Sequence, residues 1–276
     1  MISNVLSLFD GISCARVALD RAGFSISNYY ASEIDSYAIR ASASNYPSII
    51  QLGDVAKINA NQFSNIDLLI GGSPCQDLTV VKQDRKGLRG SKSKLFWEYV
   101  RLLKEIKPKW FILENVASMS PVYRNIITDA LGVNPIMIDA ALVSAQKRRR
   151  LFWTNIPGVK QPNDKGFLVK DILEKNIDNK YLSKMDLGKR RQYDYTVHEP
   201  PFDQKAAPLR ASDSKGTHNL VRVNSKKIRR ISPVESERLQ GLPDNYTVSL
   251  SNTQRYKCIG NAFNVDVISH ILSYAK

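Results

Sequence analysis

Residues 71–79, Gly-Gly-Ser-Pro-Cys-Gln-Asp-Leu-Thr, follow directly on the apolar run Ile-Asp-Leu-Leu-Ile at 66–70. The pattern predicts a buried strand that delivers Pro74 and Cys75 into a turn of small residues. A cysteine held rigidly at the carboxyl edge of an α/β sheet, where such folds place their ligands, is well set to act as a nucleophile. Further on, Phe-Ile-Leu-Glu-Asn-Val at 111–116 repeats the design and ends a strand in Glu114. A thiol and a carboxyl on neighbouring strand ends can attack and protonate one heteroaromatic ring. A lone cysteine is usually a buried structural thiol, and Cys14 and Cys258 read that way. The proline and the Gly-Gly turn ahead of Cys75 favour the nucleophile.

Those residues need a frame, and the chain supplies one. Val5–Phe9, Tyr29–Ser32, Ile66–Ile70, Trp110–Leu113 and Ile136–Asp139 are predicted strands. Cys14–Ala22, Ser36–Ser44, Lys94–Ile106 and Tyr123–Leu131 are predicted amphipathic helices between them. The alternation predicts an α/β fold with a doubly wound, mostly parallel sheet. From about Asn155 the pattern loosens into Pro, Gly, Asn, Asp and Lys. Two helices, Ser232–Gln240 and Val265–Tyr274, then return, the first opened by Ser232-Pro233 at its cap and first turn. The expected division is a catalytic and cofactor-binding domain, 1–155 and 229–276, with a small lobe at 156–228.

At 276 residues the chain can build one large domain and a smaller lobe. Its net charge of +14 and pI near 9.6 favour a polyanionic partner. Residues 155–230 carry 17 Lys and Arg against 9 Asp and Glu, so +8 of that charge sits there. Three scattered cysteines without a CxxC pair exclude a disulfide framework and a zinc site, which predicts a reducing compartment and no metal. No apolar stretch approaches the roughly 18 residues of a membrane span, so no membrane partner is expected. The opening Asn-Val-Leu-Ser-Leu-Phe reads as a strand rather than a signal peptide, and a cytoplasmic location follows as an expectation.

Small residues and acids also mark a cofactor site. The first strand ends in Phe9-Asp10-Gly11-Ile12-Ser13, and a helix follows at Cys14. A strand, tight turn and helix at the sheet's switch point is nucleotide-binding geometry, but one glycine where a dinucleotide fingerprint has three disfavours pyrophosphate. Glu33, at the end of the second strand, is placed to accept both ribose hydroxyls. Gly53-Asp54-Val55 is placed to bond an adenine amino group. Alone, each fragment is a turn glycine or a surface acid; their order and spacing together favour S-adenosylmethionine.

With these residues in view, the chain resembles the cytosine-5 DNA methyltransferases along essentially its whole length. Phe9-Asp-Gly11 resembles the family's cofactor loop, Ser-Pro-Cys75-Gln its nucleophile motif and Glu114-Asn-Val its acid motif. Gln146-Lys-Arg148-Arg-Arg150 resembles its Gln-x-Arg-x-Arg motif. Arg230-Ile-Ser-Pro-Val-Glu235 through Leu242-Pro, and Gly260-Asn261-Ala262-Phe263, resemble the two closing motifs. Leu-Ser-Leu-Phe-Asp-Gly-Ile, Tyr-Ala-Ser-Glu, Gly-Gly-Ser-Pro-Cys and Asn245-Tyr-Thr-Val are most similar to the catalytic domain of the vertebrate de novo enzymes, whereas the compact length points to a bacterial or phage-encoded relative. The resemblance implies methyl transfer from S-adenosylmethionine to carbon 5 of cytosine. Cys75 adds to carbon 6, and Glu114 serves ring nitrogen 3, its carboxyl raised by the hydrophobic setting of Phe111–Leu113. Arg148 and Arg150 assist the thiolate, whose ordinary pKa is about 8.5, and orient the base. Asp10 to Cys14, Glu33, Asp54, Val55, Pro74 and Asn261 to Phe263 would surround the cofactor and the base.

The target carbon is inaccessible inside a duplex, so the base must be extruded. Residues 82–94 form a basic, glycine-punctuated stretch in which Lys82, Arg85, Lys86, Arg89 and Lys92 could grip phosphates while Val81 fills space beside the extruded base. In the lobe, Arg210, Arg222, Lys226, Lys227, Arg229 and Arg230 are candidate contacts, divided between phosphates and bases in a proportion the sequence leaves open. Two departures stand out. The family's glycine-rich cofactor turn is here Gly11-Ile-Ser-Cys-Ala15, and Asn252 stands where the vertebrate group has an interface arginine; a monomer is expected, with a dimer left open. Three competing readings are weaker. Glu199-Pro200-Pro201-Phe202 looks like an amino-methyltransferase motif but follows a polar segment. A transfer-RNA methyltransferase lacks support, since its Cys-Phe-Thr signature is missing. A non-catalytic DNA-binding protein would be missing Cys75 or Glu114.

Overall fold

The apolar runs of the first half become a seven-stranded sheet in the order β3-β2-β1-β4-β5-β7-β6. The computed structural model describes residues 2–73, 95–182, 195–215, 218–225 and 227–276. Strands β1 (Asn4–Leu8), β2 (Asn28–Ser32), β3 (Ile50–Gln51), β4 (Leu68–Gly71) and β5 (Trp110–Val116) are mutually parallel. The doubly wound, mostly parallel α/β sheet expected from the sequence is therefore present. Chain order reverses beside β1, since β2 and β3 build outward on one side and β4 and β5 on the other. That is the switch point at which open α/β sheets bind ligands. Two strands are additional to the sequence reading. The two-residue β3 is too short to show a pattern, and β7 (Arg149–Thr154), which begins within the Arg148–Arg150 cluster, runs antiparallel to β5.

The described residues divide into two compact units: Met1–Ile138 with Arg149–Gln161 and Val267–Lys276, and Asp139–Arg148 with Pro162–Asp266. In the first unit, α1 (Cys14–Arg21), α2 (Ser36–Asn45), α3 (Leu95–Ile106) and α4 (Pro121–Leu131) accompany the sheet. Phe96, Tyr99 and Val100 fall at helical spacing on one face of α3 and join Leu6, Leu8, Leu69, Leu113 and Trp153 in the core. Helix α4 starts two residues before the expected Tyr123, because Ser120 caps it and Pro121 fits its first turn; Gly132, at φ 69°, ends it. Gly71 in β4 has no room for a side chain, since a Cβ there would lie 2.9 Å from the Leu8 carbonyl oxygen.

The second unit holds a three-stranded sheet, β8 (Thr196–His198) parallel to β9 (Asn219–Asn224), and β9 antiparallel to β10 (Lys227–Arg230). It also holds the short α5 (Val169–Ile172), α6 (Pro233–Leu239) and α7 (Asn252–Asn261). Ser232 and Glu235 close a reciprocal capping box at the start of α6. The sheet strand β6 spans Ile136–Asp139, and the last α-helix, α8 (Val265–Leu272), leads into a final 3₁₀ turn at Ser273–Ala275.

Candidate active site

In the first unit, the ends of β1, β2 and β3 enclose a cleft of ≈ 160 Å³ lined by Phe9, Ser32, Glu33, Ile34, Gly53, Asp54, Val55 and Leu95. Four sequence-predicted cofactor residues, Phe9, Glu33, Asp54 and Val55, thus line one cavity. The Glu33 carboxylate accepts from the backbone N–H of Gly11 at 2.8 Å, of Ile34 at 2.7 Å and of Asp35 at 2.8 Å. Asp54 caps the short 3₁₀ turn Val55–Lys57 by accepting from the Ala56 N–H. Ile34, 76 % exposed, and Leu95 line the cleft beyond the residues that the sequence picks out. The available signal for Ile34 was its place directly after Glu33, an apolar side chain beyond a strand end.

Asp10, Ile12, Ser13 and Cys14 are buried and absent from that lining; they support the turn from beneath. Phe9, Gly11 and Ser13 all have left-handed backbones, with φ of 57°, 61° and 60°. Two of them are not glycine, a conformation that costs on the order of 1–3 kcal/mol per residue unless its surroundings hold it. The Ser13 hydroxyl supplies such a hold, donating to Asp10 Oδ2 at 2.5 Å and lying 2.6 Å from the Ser42 hydroxyl. Tyr29 donates to Asp10 Oδ1 at 2.6 Å. Burial pushes the Asp10 carboxyl up to about 6, against the opposite pull of the Ser13 and Tyr29 hydrogen bonds. The Gly11-Ile-Ser-Cys turn therefore replaces backbone freedom with a buried hydrogen-bonded network.

At the neighbouring strand ends, register decides who meets whom. Gly71 pairs with Leu113 in the parallel ladder, so two residues on Ser73 comes beside Asn115. The buried Asn115 amide donates to the Ser73 hydroxyl at 3.2 Å and tethers the chain just ahead of Pro74 and Cys75. Pro74, Cys75, Val81, Lys82, Arg85, Lys86, Arg89, Lys92 and Lys226 lie outside the described residues. Across β5 and β7, Glu114 pairs with Phe152, which makes Arg150 its diagonal neighbour on the same face. Arg150 Nε lies 2.8 Å from Glu114 Oε1. The apolar setting expected for Glu114 is thus interrupted by a guanidinium.

The second unit disposes of its predicted residues differently. Arg148 is buried and donates to the carbonyls of Leu209 at 3.2 Å and Ala262 at 2.9 Å. Gln146 donates to Gln240 Oε1 at 2.6 Å, and Gln240 in turn donates to the Ala262 carbonyl at 2.8 Å. Ala262 and Phe263 are buried, and Asn261 is exposed. Arg229 makes a two-pronged pair with the fully buried Glu235 at 2.7 Å, which puts it in the buried framework rather than on the basic surface. Arg222 is paired side-on with Glu199, Arg230 donates to the Ser214 carbonyl, and Arg210 and Lys227 are exposed. No group of metal-binding side chains occurs among the described residues, and no described helix is long and apolar enough to cross a membrane.

Comparison with known proteins places the fold first. A methyltransferase of Entamoeba histolytica, EhMeth, superposes with a TM-score of 0.83 at 19 % identity, over 99 % of this chain and 98 % of that one. The profile of the C-5 cytosine-specific DNA methylases matches residues 3–187 and 145–276. The chain belongs to that family and is a DNA cytosine-5 methyltransferase. Similar proteins include the type II methyltransferase M1.ScrFI of Lactococcus lactis subsp. cremoris, 27 % identical over 97 % of this chain and 76 % of the relative. The orphan methyltransferase M.SPRI of Bacillus phage SPR is 34 % identical over 62 % of this chain and 42 % of the relative.

Proposed function

We propose that the enzyme takes its methyl group from S-adenosylmethionine and uses Cys75 as a covalent nucleophile on double-stranded DNA, at a short specific sequence. The observation that carries this reading is the convergence at β4, β5 and β7. Asn115 tethers the segment leading to Cys75, and Arg150 meets the neighbouring Glu114 from the other side. The cleft at β1–β3 suits the cofactor, with the Glu33 carboxylate available to ribose hydroxyls, Asp54 to an adenine amino group, and Phe9, Ile34, Val55 and Leu95 as apolar walls. Bound there, S-adenosylmethionine supplies an electrophilic methyl.

The chain's own residues do the rest. The Cys75 thiolate adds to carbon 6, forming an S–C bond and making carbon 5 nucleophilic. Glu114 holds a proton at ring nitrogen 3, where negative charge develops, and Arg150 fixes its carboxyl. After methylation, a solvent base takes the carbon 5 proton; the released electron pair restores the 5,6 double bond, breaks the S–C bond and expels the Cys75 thiolate. Extrusion of the base costs a few kcal/mol of stacking and pairing, offset by basic contacts from 82–94 and from a target-recognition lobe at 156–228. Arg148 acts as a positioning residue through the backbone it holds. The bacterial and phage relatives support a cytoplasmic, bacterial or phage-encoded enzyme, and the type II relative supports a restriction–modification role.

A duplex carrying 5-fluorocytosine tests the mechanism, because fluorine cannot leave as a proton does. A denaturation-resistant adduct with the wild type and none with Cys75→Ala is the expected result. Bisulfite sequencing of a plasmid from expressing cells should show protected cytosines in one short context. Absence of both from folded protein would overturn the reading.

A further inference from the structure

Several motif residues of the second unit converge on the backbone of one loop, Leu209–Lys215. The Leu209 N–H donates to Gln146 Oε1 at 3.0 Å, and its carbonyl accepts from Arg148 at 3.2 Å. Asp213 accepts from the Arg210 N–H at 2.9 Å, while the Asp213 N–H returns a bond to the Arg210 carbonyl at 3.0 Å. Arg230 donates to the Ser214 carbonyl at 3.2 Å. Gly260 of α7 completes the cradle, since a Cβ there would lie 2.3 Å from the Arg210 carbonyl carbon and 2.5 Å from the Ala211 nitrogen. No side chain but hydrogen fits without moving the loop or the helix.

What this loop displays is Arg210, exposed to solvent. In the second unit, Arg148, Arg222, Arg229, Arg230, Arg238 and Arg255 each donate to a carbonyl or carboxylate. Among the described residues, the Arg210 guanidinium has no hydrogen bond or ion pair. Its charge is felt only at a distance, by Asp213 and His218 behind the loop. An arginine that merely gathers phosphate needs no such backbone, because a flexible stem and a point charge suffice. Base readout needs a planar fork held in fixed register, and guanine O6 and N7 match the five-donor guanidinium with two parallel bonds.

We propose that Arg210 reads a guanine of the recognition sequence, presented by a loop whose backbone Gln146, Arg148, Asp213 and Gly260 pin in place. The proposal rests on the function assigned above and makes one residue of the lobe a reader of sequence.

The test compares plasmid DNA from cells expressing the wild type, Arg210→Lys and Arg210→Ala, by bisulfite sequencing. Arg210→Lys keeps the charge and loses the fork. It is expected to relax one position of the site, guanine in the wild type, with discrimination there reduced about tenfold to a hundredfold and the other positions retained. Arg210→Ala should relax the same position at lower overall methylation. An unchanged sequence context for Arg210→Lys, with methylation uniformly reduced or unaltered, overturns the assignment while leaving the enzyme's function intact. A wild type that protects no cytosine overturns the function, and the role of Arg210 falls with it.

Discussion

Glu114 and Arg150 show how much a single contact decides. The 2.8 Å pair keeps the carboxyl aimed but also commits one of its oxygens, so in the proposed mechanism base and guanidinium share the carboxyl group. Glu114→Gln keeps the shape and loses the acid. Single-turnover methylation should fall by about 10²–10⁴-fold, with DNA affinity within a few-fold of wild type by fluorescence anisotropy. Asp213 carries a different expectation. Burial pushes its carboxyl up to about 6 from 3.8, so the folded state binds more protons than the unfolded one between those values. Stability from this group falls as pH rises through that window and stays low above it. Asp213→Asn removes the penalty and sets an amide donor toward His218 Nδ1, 4.0 Å from the present carboxylate. At pH 7.5 the variant should be more stable by about 1–3 kcal/mol, converging on wild type near pH 4. His218, held down to about 4 by burial, adds an opposite slope, so urea unfolding should be read as variant minus wild type. A variant less stable at pH 7.5 would contradict the assignment.

Strands and helices explain why those residues meet. Gly71→Ala would push a methyl against the Leu8 carbonyl within the sheet, and should cost about 1–3 kcal/mol, seen as a lower urea midpoint with an unchanged slope. Much at this scale was legible in the sequence, because β1, β2, β4 and β5 are apolar runs and the cap of α6 is written as Ser-Pro; the same pair at Ser120-Pro121 starts α4 ahead of the expected Tyr123. Residues supplied by register were harder to see. Arg150 reads as one of three consecutive arginines until β7 folds back antiparallel and brings it diagonal to Glu114. Arg148 reads as a base-orienting cation and Arg229 as a DNA contact, since nothing local announces that buried carbonyls or a buried Glu235 will receive them. Phe9 and Ser13 are named by the sequence, but their conformation is not; a left-handed backbone at a non-glycine residue leaves no mark on composition.

Over the whole molecule, charge and ligand linkage set the measurable behaviour. A net charge of +14 should make DNA binding fall steeply with salt, by about 10³–10⁵ between 50 and 200 mM if six to ten phosphates are contacted. A flat dependence would remove duplex DNA as the partner. S-adenosylmethionine at a hundredfold excess over its dissociation constant should stabilise the fold by about 2.7 kcal/mol, and Glu33→Ala should abolish most of the resulting rise in melting temperature. The first unit has a further consequence because it is assembled from three separate stretches of chain, the third being Val267–Lys276. Ile268, Ile271 and Leu272 of α8 are essentially fully buried. A ribosome that has already released Cys75, Glu114 and Arg150 must still deliver this helix before the unit can close. Nascent or prematurely terminated chains thus carry the proposed site residues yet lack a finished scaffold, and a chain cut before Val267 is expected to show no methylation in a cell-free translation assay.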